Sequence, residues 1–236
     1  MQVDVDWDIT SPNPERGVCR AARNDYYQGY VGEETFETVM EAVKGDTLDE
    51  KKYRLLTKTL LKKEHYGPFE HPQLAIQIKG VSRSLMAQIT RHRHMSFDIQ
   101  SMRYVNMEDA DVVTPKSLTD PDHFSREGQT ELDADQEELE RLYNKTVADS
   151  FAAYNQLVEL GVPKEDARMA LPIGTKVNIY MSGNLRSFMH VLNMRAKANA
   201  QWEIRNLTEK VTDELDDWAP ITAGYFEEEG PFRLGM

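Results

Sequence analysis

The chain has a single cysteine, Cys19, among its 236 residues. That excludes an internal disulfide and a cysteine-rich metal site. No run of 18 apolar residues occurs, so no membrane-spanning helix is expected. No Gly-, Ser- or Pro-rich linker separates periodic blocks, and no internal repeat is found. The expectation is one domain over residues 1–236, long enough for a sizeable core. The Gly-x-Gly-x-x-Gly run of Rossmann-type dinucleotide binding is missing. Basic residues are in deficit, with 28 Lys and Arg against 40 Asp and Glu, a formal net charge of −12. Such a surface disfavours non-specific nucleic-acid binding. The acids gather in residues 108–140 and 209–229, a pattern also expected of a protein working in concentrated salt. The opening residues Met-Gln-Val-Asp-Val-Asp-Trp-Asp alternate apolar and acidic and do not read as a secretion signal, so a cytoplasmic setting is expected.

Against that background one segment concentrates positive charge. Residues 91–104 read Arg-His-Arg-His-Met-Ser-Phe-Asp-Ile-Gln-Ser-Met-Arg-Tyr. Guanidinium offers forked donors matched to phosphate and keeps its charge. Hydroxyls and backbone amides beside it supply shorter bonds that fix orientation. On composition alone the run reads equally as a solvated surface patch or as an anion site. The flank favours the anion site: residues 73–90 are largely apolar, with only Lys79 and Arg83 charged. A segment leaving a buried strand and helix seldom ends in unpaired arginines, because buried charge needs a partner. Cys19, among arginines in residues 16–23, reads as buried packing rather than as a nucleophile.

Residues 2–8 alternate as a half-buried strand, and residues 14–24 and 33–44 read as helices. Asp46 or Thr47 is placed to cap a helix over 48–64, closed by Gly67-Pro68. Residues 73–79 alternate as a strand, and Ser82 is placed to cap a helix carrying Leu85, Met86 and Ile89 into the arginine run. Residues 105–127 are irregular. The longest helical pattern is 128–160, ended by Gly161. A short helix from Pro163 to about Ala170, a strand over 175–182 and helices over 184–198 and 201–218 complete the pass. The fold class expected is α+β: a small, mostly antiparallel sheet flanked by helices, with long helical segments in the C-terminal half.

In the helix 184–198, Leu185, Phe188, Met189, Leu192 and Ala196 share one face. Arg195 lies about 20° from Phe188. An arginine at the edge of an apolar face calls for an anion or a carbonyl; snorkelling or an internal ion pair is the competing reading. Gln88 lies on the same helical side as Arg91. The pairs His65/His71 and His92/His94 lack the i, i+4 spacing of a helical metal site, so no metal is expected. An RNA-binding use of the arginines conflicts with the net charge.

The order of residues resembles the flavin-dependent thymidylate synthases. Arg91-His92-Arg93, then Ser101 after seven residues, then Arg103-Tyr104, is similar to that family's signature. Pro68-Phe69-Glu70-His71, Val162-Pro163-Lys164-Glu165-Asp166-Ala167-Arg168 and Asn184-Leu185-Arg186-Ser187-Phe188 extend the resemblance. So do Leu192-Asn193-Met194-Arg195-Ala196 and Ala200-Gln201-Trp202-Glu203-Ile204, giving a match over roughly residues 15–215. The resemblance implies reductive methylation of dUMP to dTMP, with 5,10-methylenetetrahydrofolate as one-carbon donor and NADPH-reduced FAD as hydride source. It implies a homotetramer with shared sites. It implies dUMP contacts from Gln88, Ile89, Thr90, Arg91, Ile99, Gln100, Ser101, Met102, Arg103, Arg168 and Arg195, with Arg195 polarising the pyrimidine. FAD contacts are implied for Gly67, Arg91, His92, Arg93, Ile99, Asn184, Leu185, Arg186 and His190. The family usually has Glu where Ile99 stands and Ser or Thr where Gly67 stands. If that Glu acts through its side chain, the role is lost or moved here; if through its backbone, Ile99 suffices.

Overall fold

The computed structural model describes residues 1–120, 123 and 135–231. Strand β1 (Gln2–Val5) leads into helix α1 (Pro14–Asn24), which starts on a proline suited to a first turn. Helix α2 (Phe36–Met40) is capped by Thr35. Helix α3 (Leu48–Arg54) opens on a capping box between Thr47 and Glu50 and continues as a π-helical stretch, Leu55–Leu61, whose leucines are buried. Then come β2 (Gln73–Ser82), α4 (Arg83–Ile89) and β3 (Ser96–Ile99). The C-terminal half holds α5 (Gln136–Glu159), α6 (Lys164–Ala167), β4 (Lys176–Asn184), α7 (Leu185–Arg195), α8 (Trp202–Trp218) and α9 (Pro220–Glu229).

The four strands form one antiparallel sheet in the order β1-β2-β4-β3. Leu74, Ile76 and Ile78 of β2 and Val177, Ile179 and Met181 of β4 turn inward onto Leu185, Phe188 and Leu192 of α7 and Ile204 and Leu207 of α8. The register of β2 against β4 shifts between Ile78 and Val81, where Gly80 adopts φ +75°. A glycine bulge of this kind bends the strand. Beyond the bend Ser82 caps α4, its hydroxyl accepting from the Leu85 amide.

The expected α+β class with a small antiparallel sheet is what the chain forms. Several elements differ in detail. The first strand ends at Val5, because a turn closed by Thr10 N donating to Asp6 O follows and leaves Trp7 exposed. Only Phe36–Met40 of the helix expected over 33–44 is α-helical. Strand β3 falls inside the charged run, where only four residues, alternately exposed and half-buried, are too short a stretch to read as a strand. Helix α9 has apolar residues around its whole circumference and so shows no helical period. The start of the helix expected over 128–160 lies outside the described residues. Of the apolar positions read along that helix, only Tyr154 is fully buried, and Leu142 is 63% exposed.

Candidate active site

Helix α4 organises the site. Its last turn runs directly into the arginine segment: His92 N donates to Ile89 O, and Met95 N donates to His92 O. This tight path turns Arg91, Arg93 and His94 outward and holds His92 and Met95 inside. His92 is only 8% exposed. Thr90 spends its hydroxyl on Met86 O at 2.8 Å, and Ile89 lies wholly in the core.

Helix α7 brings the second half. Asn184 caps it by accepting from Ser187 N at 2.8 Å, and Leu185, Phe188, Met189 and Leu192 bury its apolar face. Leu185 therefore packs in the core and donates its backbone N–H to Pro72 O. The last helical residue, Arg195, reaches α4. Its Nε donates to His92 Nε2 at 2.9 Å and its Nη2 donates to Gln88 O at 3.2 Å. Of the two partners expected for it, an anion or a carbonyl, it has taken the carbonyl, and among the described residues its remaining donors meet no carboxylate.

The His92 ring also meets His190 edge-on, centroids 5.7 Å apart. Burial first, then the charges of Arg195 and His190, push the His92 pKa down to about 4. A neutral ring accepting at Nε2 carries its proton on Nδ1. His190 is lowered too, by burial and then by His94 and Arg195. Burial and the nearby charge of Arg91 lower Arg195, which stays cationic all the same.

A second cluster forms around the start of α4. Arg83 Nη1 lies 3.0 Å from Met102 Sδ, and burial and then the charge of Arg168 lower its pKa. Arg103 pairs with Glu165 at 2.5 Å, while Arg168 Nε donates to Glu165 O at 2.9 Å. Ser101 Oγ accepts from Arg103 N, and Ser101 O accepts from Val105 N. Gln100 is tied to β4, donating N to Asn178 O and accepting from Asn178 N. Ile99 pairs with Ile179 in the sheet and packs its side chain against the core. Any ligand contact of Ile99 is therefore left to its backbone.

A third group lines the turn Gly67–Glu70. Arg186 forms an ion pair with Glu70, and no atom stands within 4 Å of where a Cβ on Gly67 would lie. A cavity of about 280 Å³ lined by Arg23, Lys63 and His65 reaches the neighbouring Pro68. Arg91 and Arg93 are exposed and pair with no carboxylate among the described residues. Free cations, neutral imidazoles and an open backbone position together suit a ligand with a diphosphate and a polar ring system.

The structure thus joins Gln88, Arg91, His92, His190 and Arg195 at one end of α4. It gathers Ser101, Met102, Arg103 and Arg168 about the other. Sequence reading missed three carboxylates that hold these groups: Glu70, Glu165 and Glu203. All three sit inside the motif blocks, but Glu70 pairs with Arg186 across 116 residues, Glu165 with Arg103 across 62 and Glu203 with Ser82 across 121, which leaves no local signal.

A family model described as thymidylate synthase complementing protein matches residues 8–221. The chain belongs to this family. Proteins that it resembles include a flavin-dependent thymidylate synthase of Haloarcula marismortui, 50% identical and covering 96% of each chain. One of Halobacterium salinarum is also 50% identical, covering 94% of each. A third, of Clostridium tetani, is 31% identical, covering 94% of this chain and 84% of its own. Among solved structures, a UMP/dUMP methylase from Streptomyces cacaoi bound with 5-Br dUMP superposes with TM-score 0.76. That match covers 98% of this chain and 96% of the other at 22% identity, and it establishes the shared fold.

Proposed function

We propose that this chain catalyses the reductive methylation of dUMP to dTMP as a flavin-dependent thymidylate synthase acting as one domain in the cytoplasm. 5,10-Methylenetetrahydrofolate gives a methylene unit and leaves as tetrahydrofolate. When bound, FAD, reduced by NADPH, supplies the hydride that brings that unit to the methyl level. The observation that carries this reading is Arg195, fixed by His92 and by Gln88 O with donors to spare beside Arg91. A guanidinium so held is pre-oriented to bond the uracil carbonyls and to stabilise negative charge as the pyrimidine is activated at C5. Gln88, Thr90 and Arg91 form the nucleotide wall at that end, with Ile89 packed in the core behind them. Ile99, Gln100, Ser101, Met102, Arg103 and Arg168 take the phosphate and sugar side, Ile99 and Met102 through their backbone. For FAD, Arg91 and Arg93 meet the diphosphate, and His92, His190, Asn184 and Arg186 line the ring side. Gly67 gives open backbone, and Leu185 acts only by packing α7 in place.

The two nucleotide-binding clusters lie at opposite ends of α4, which at seven residues is about 10 Å long. A homotetramer in which each site takes its ends from different subunits is what the likeness to the flavin-dependent thymidylate synthases implies. Exposed apolar residues support it as well: Met169 is 81% exposed and Leu142 of α5 is 63% exposed. Among the described residues no helix is long and apolar enough to cross a membrane.

The deciding experiment is the visible spectrum of the purified protein in high salt, with NADPH added before and after dUMP. A flavin band that bleaches faster once dUMP is present ties nucleotide, flavin and reductant to one site. A folded protein that shows no flavin band after FAD is supplied would overturn the reading.

A further inference from the structure

Helix α4 is held at both ends by the same stretch of chain. At its C-terminal end Arg195 donates to Gln88 O and to His92. At its N-terminal end the holder is Glu203, in the first turn of α8. Glu203 is 2% exposed, and both its oxygens are taken by one residue. Oε1 accepts from Ser82 N at 2.8 Å, and Oε2 accepts from Ser82 Oγ at 2.5 Å. Ser82 Oγ in turn accepts from Leu85 N, capping α4. A carboxylate is rarely buried so deeply, and here its lone pairs are met by a two-point grip on the residue that begins α4. Gln201 caps α8 through Glu203 N and Ile204 N, so the carboxylate itself stands on a fixed helix start.

Resting on the proposed function, we infer that Glu203 is a positioning residue for the nucleotide site: through Ser82 it sets where α4 presents Gln88 and Arg91 and where Arg195 finds its partners. The physical case is leverage. Arg195 and Glu203 flank the α7–α8 connection and grip opposite ends of one short helix. Loss of either grip frees α4 to slide or tilt against α7. The Gln88 carbonyl and His92 Nε2 then leave Arg195, and a misplacement on the ångström scale is costly to an oriented site.

The test measures dUMP affinity by calorimetry on the FAD-loaded protein, beside melting temperature and the separate kcat and KM for dUMP. Glu203→Gln keeps the volume but replaces one acceptor by a donor facing the Ser82 hydroxyl. Ser82→Ala keeps the backbone N–H and loses only the hydroxyl, so it decides the matter if Glu203→Gln does not fold. Ser82→Thr retains both contacts. Val211→Ala, further along α8 and buried, is the control for simple loss of packing. Glu203→Gln and Ser82→Ala are expected to weaken dUMP binding about tenfold or more and to raise KM. Ser82→Thr should restore it. Val211→Ala should lower the melting temperature without moving dUMP affinity. Wild-type binding in Glu203→Gln, or equal weakening in Val211→Ala, would reduce Glu203 to a structural cap and leave the proposed function standing. Failure of the wild type itself to bind dUMP would remove both.

Discussion

Arg195 donates Nε to His92 Nε2 at 2.9 Å, so the histidine of the Arg-His-Arg run is the acceptor that aims the arginine of α7. That bond needs a neutral ring, and burial beside two further cationic or titratable groups keeps it neutral.

The pH dependence follows from the sign of that shift. The His92 pKa in the folded chain is about 4, below the ordinary 6.5. As pH falls from 6.5 toward 4, unfolded chains take up a proton that the folded ring refuses, so stability drops through that window. The bond to Arg195 survives until the ring itself titrates. Binding of dUMP should stay level down to about pH 5 and fall with an apparent pKa near 4. His92→Ala should weaken binding about 10- to 100-fold, the worth of a hydrogen bond to a charged group. His92→Gln, whose amide oxygen can accept from Nε, should lose less and abolish the acid limb. Calorimetric titrations across pH check both; a limb near 6.5 that disappears in His92→Gln would contradict the bond.

The proposed sharing of sites between subunits predicts complementation between particular partners. Arg91 and Arg195 lie close enough in one chain for the first to lower the pKa of the second. Mixed tetramers of Arg91 and Arg195 variants should therefore gain nothing. Mixtures of an Arg195 variant with an Arg103 variant should recover about a quarter of wild-type activity, from sites that draw both arginines from intact halves. Recovery in neither mixture, with subunit exchange verified by mass spectrometry, would count against a shared site.

Glu15 predicts a stabilising substitution. It is buried in the first turn of α1 and accepts from Thr222 N and Oγ1, joining α1 to the start of α9. Burial raises its pKa despite the opposing bonds from Thr222. A raised carboxyl is at no disadvantage below its unfolded pKa and costs stability as pH rises through the folded value. Glu15→Gln keeps an acceptor for Thr222 N and removes the charge. Its melting temperature should exceed wild type at pH 7 and converge with it in acid.

The acidic end of α8 predicts salt dependence. Burial and then Asp217, Asp4 and Asp213 raise the Glu214 pKa; Asp216 is raised by burial, Asp213 and Asp217. Crowded carboxylates repel, and molar salt shortens the screening length to about 3 Å. Melting temperature should climb with KCl. Asp217→Asn should melt above wild type in dilute buffer, with the gap closing by about 1 M. Parallel melts at several salt concentrations decide it, and a gap that persists in high salt would point away from charge repulsion.

Local elements with short-range signals were legible from the residues alone. The alternation of Leu74, Ile76 and Ile78, the cap at Ser82, the cap at Asp46 or Thr47, of which the structure takes Thr47, and the stop at Gly161 each act within a few residues and are where they were read. Burial of Cys19 was legible for the same reason, and its thiol is pushed up to about 12. The motif blocks were legible as a set and identified the family. How they meet was settled by the packing of the folded chain. It put Arg195 on His92 rather than on an acid, packed Ile99 inward, and separated Arg103 from Arg195 by the length of α4. It also gave Glu203 to Ser82. These outcomes turn on contacts between residues about a hundred positions apart. Such contacts are set by which apolar faces pack first, and polar partners then form wherever that packing leaves a donor opposite an acceptor.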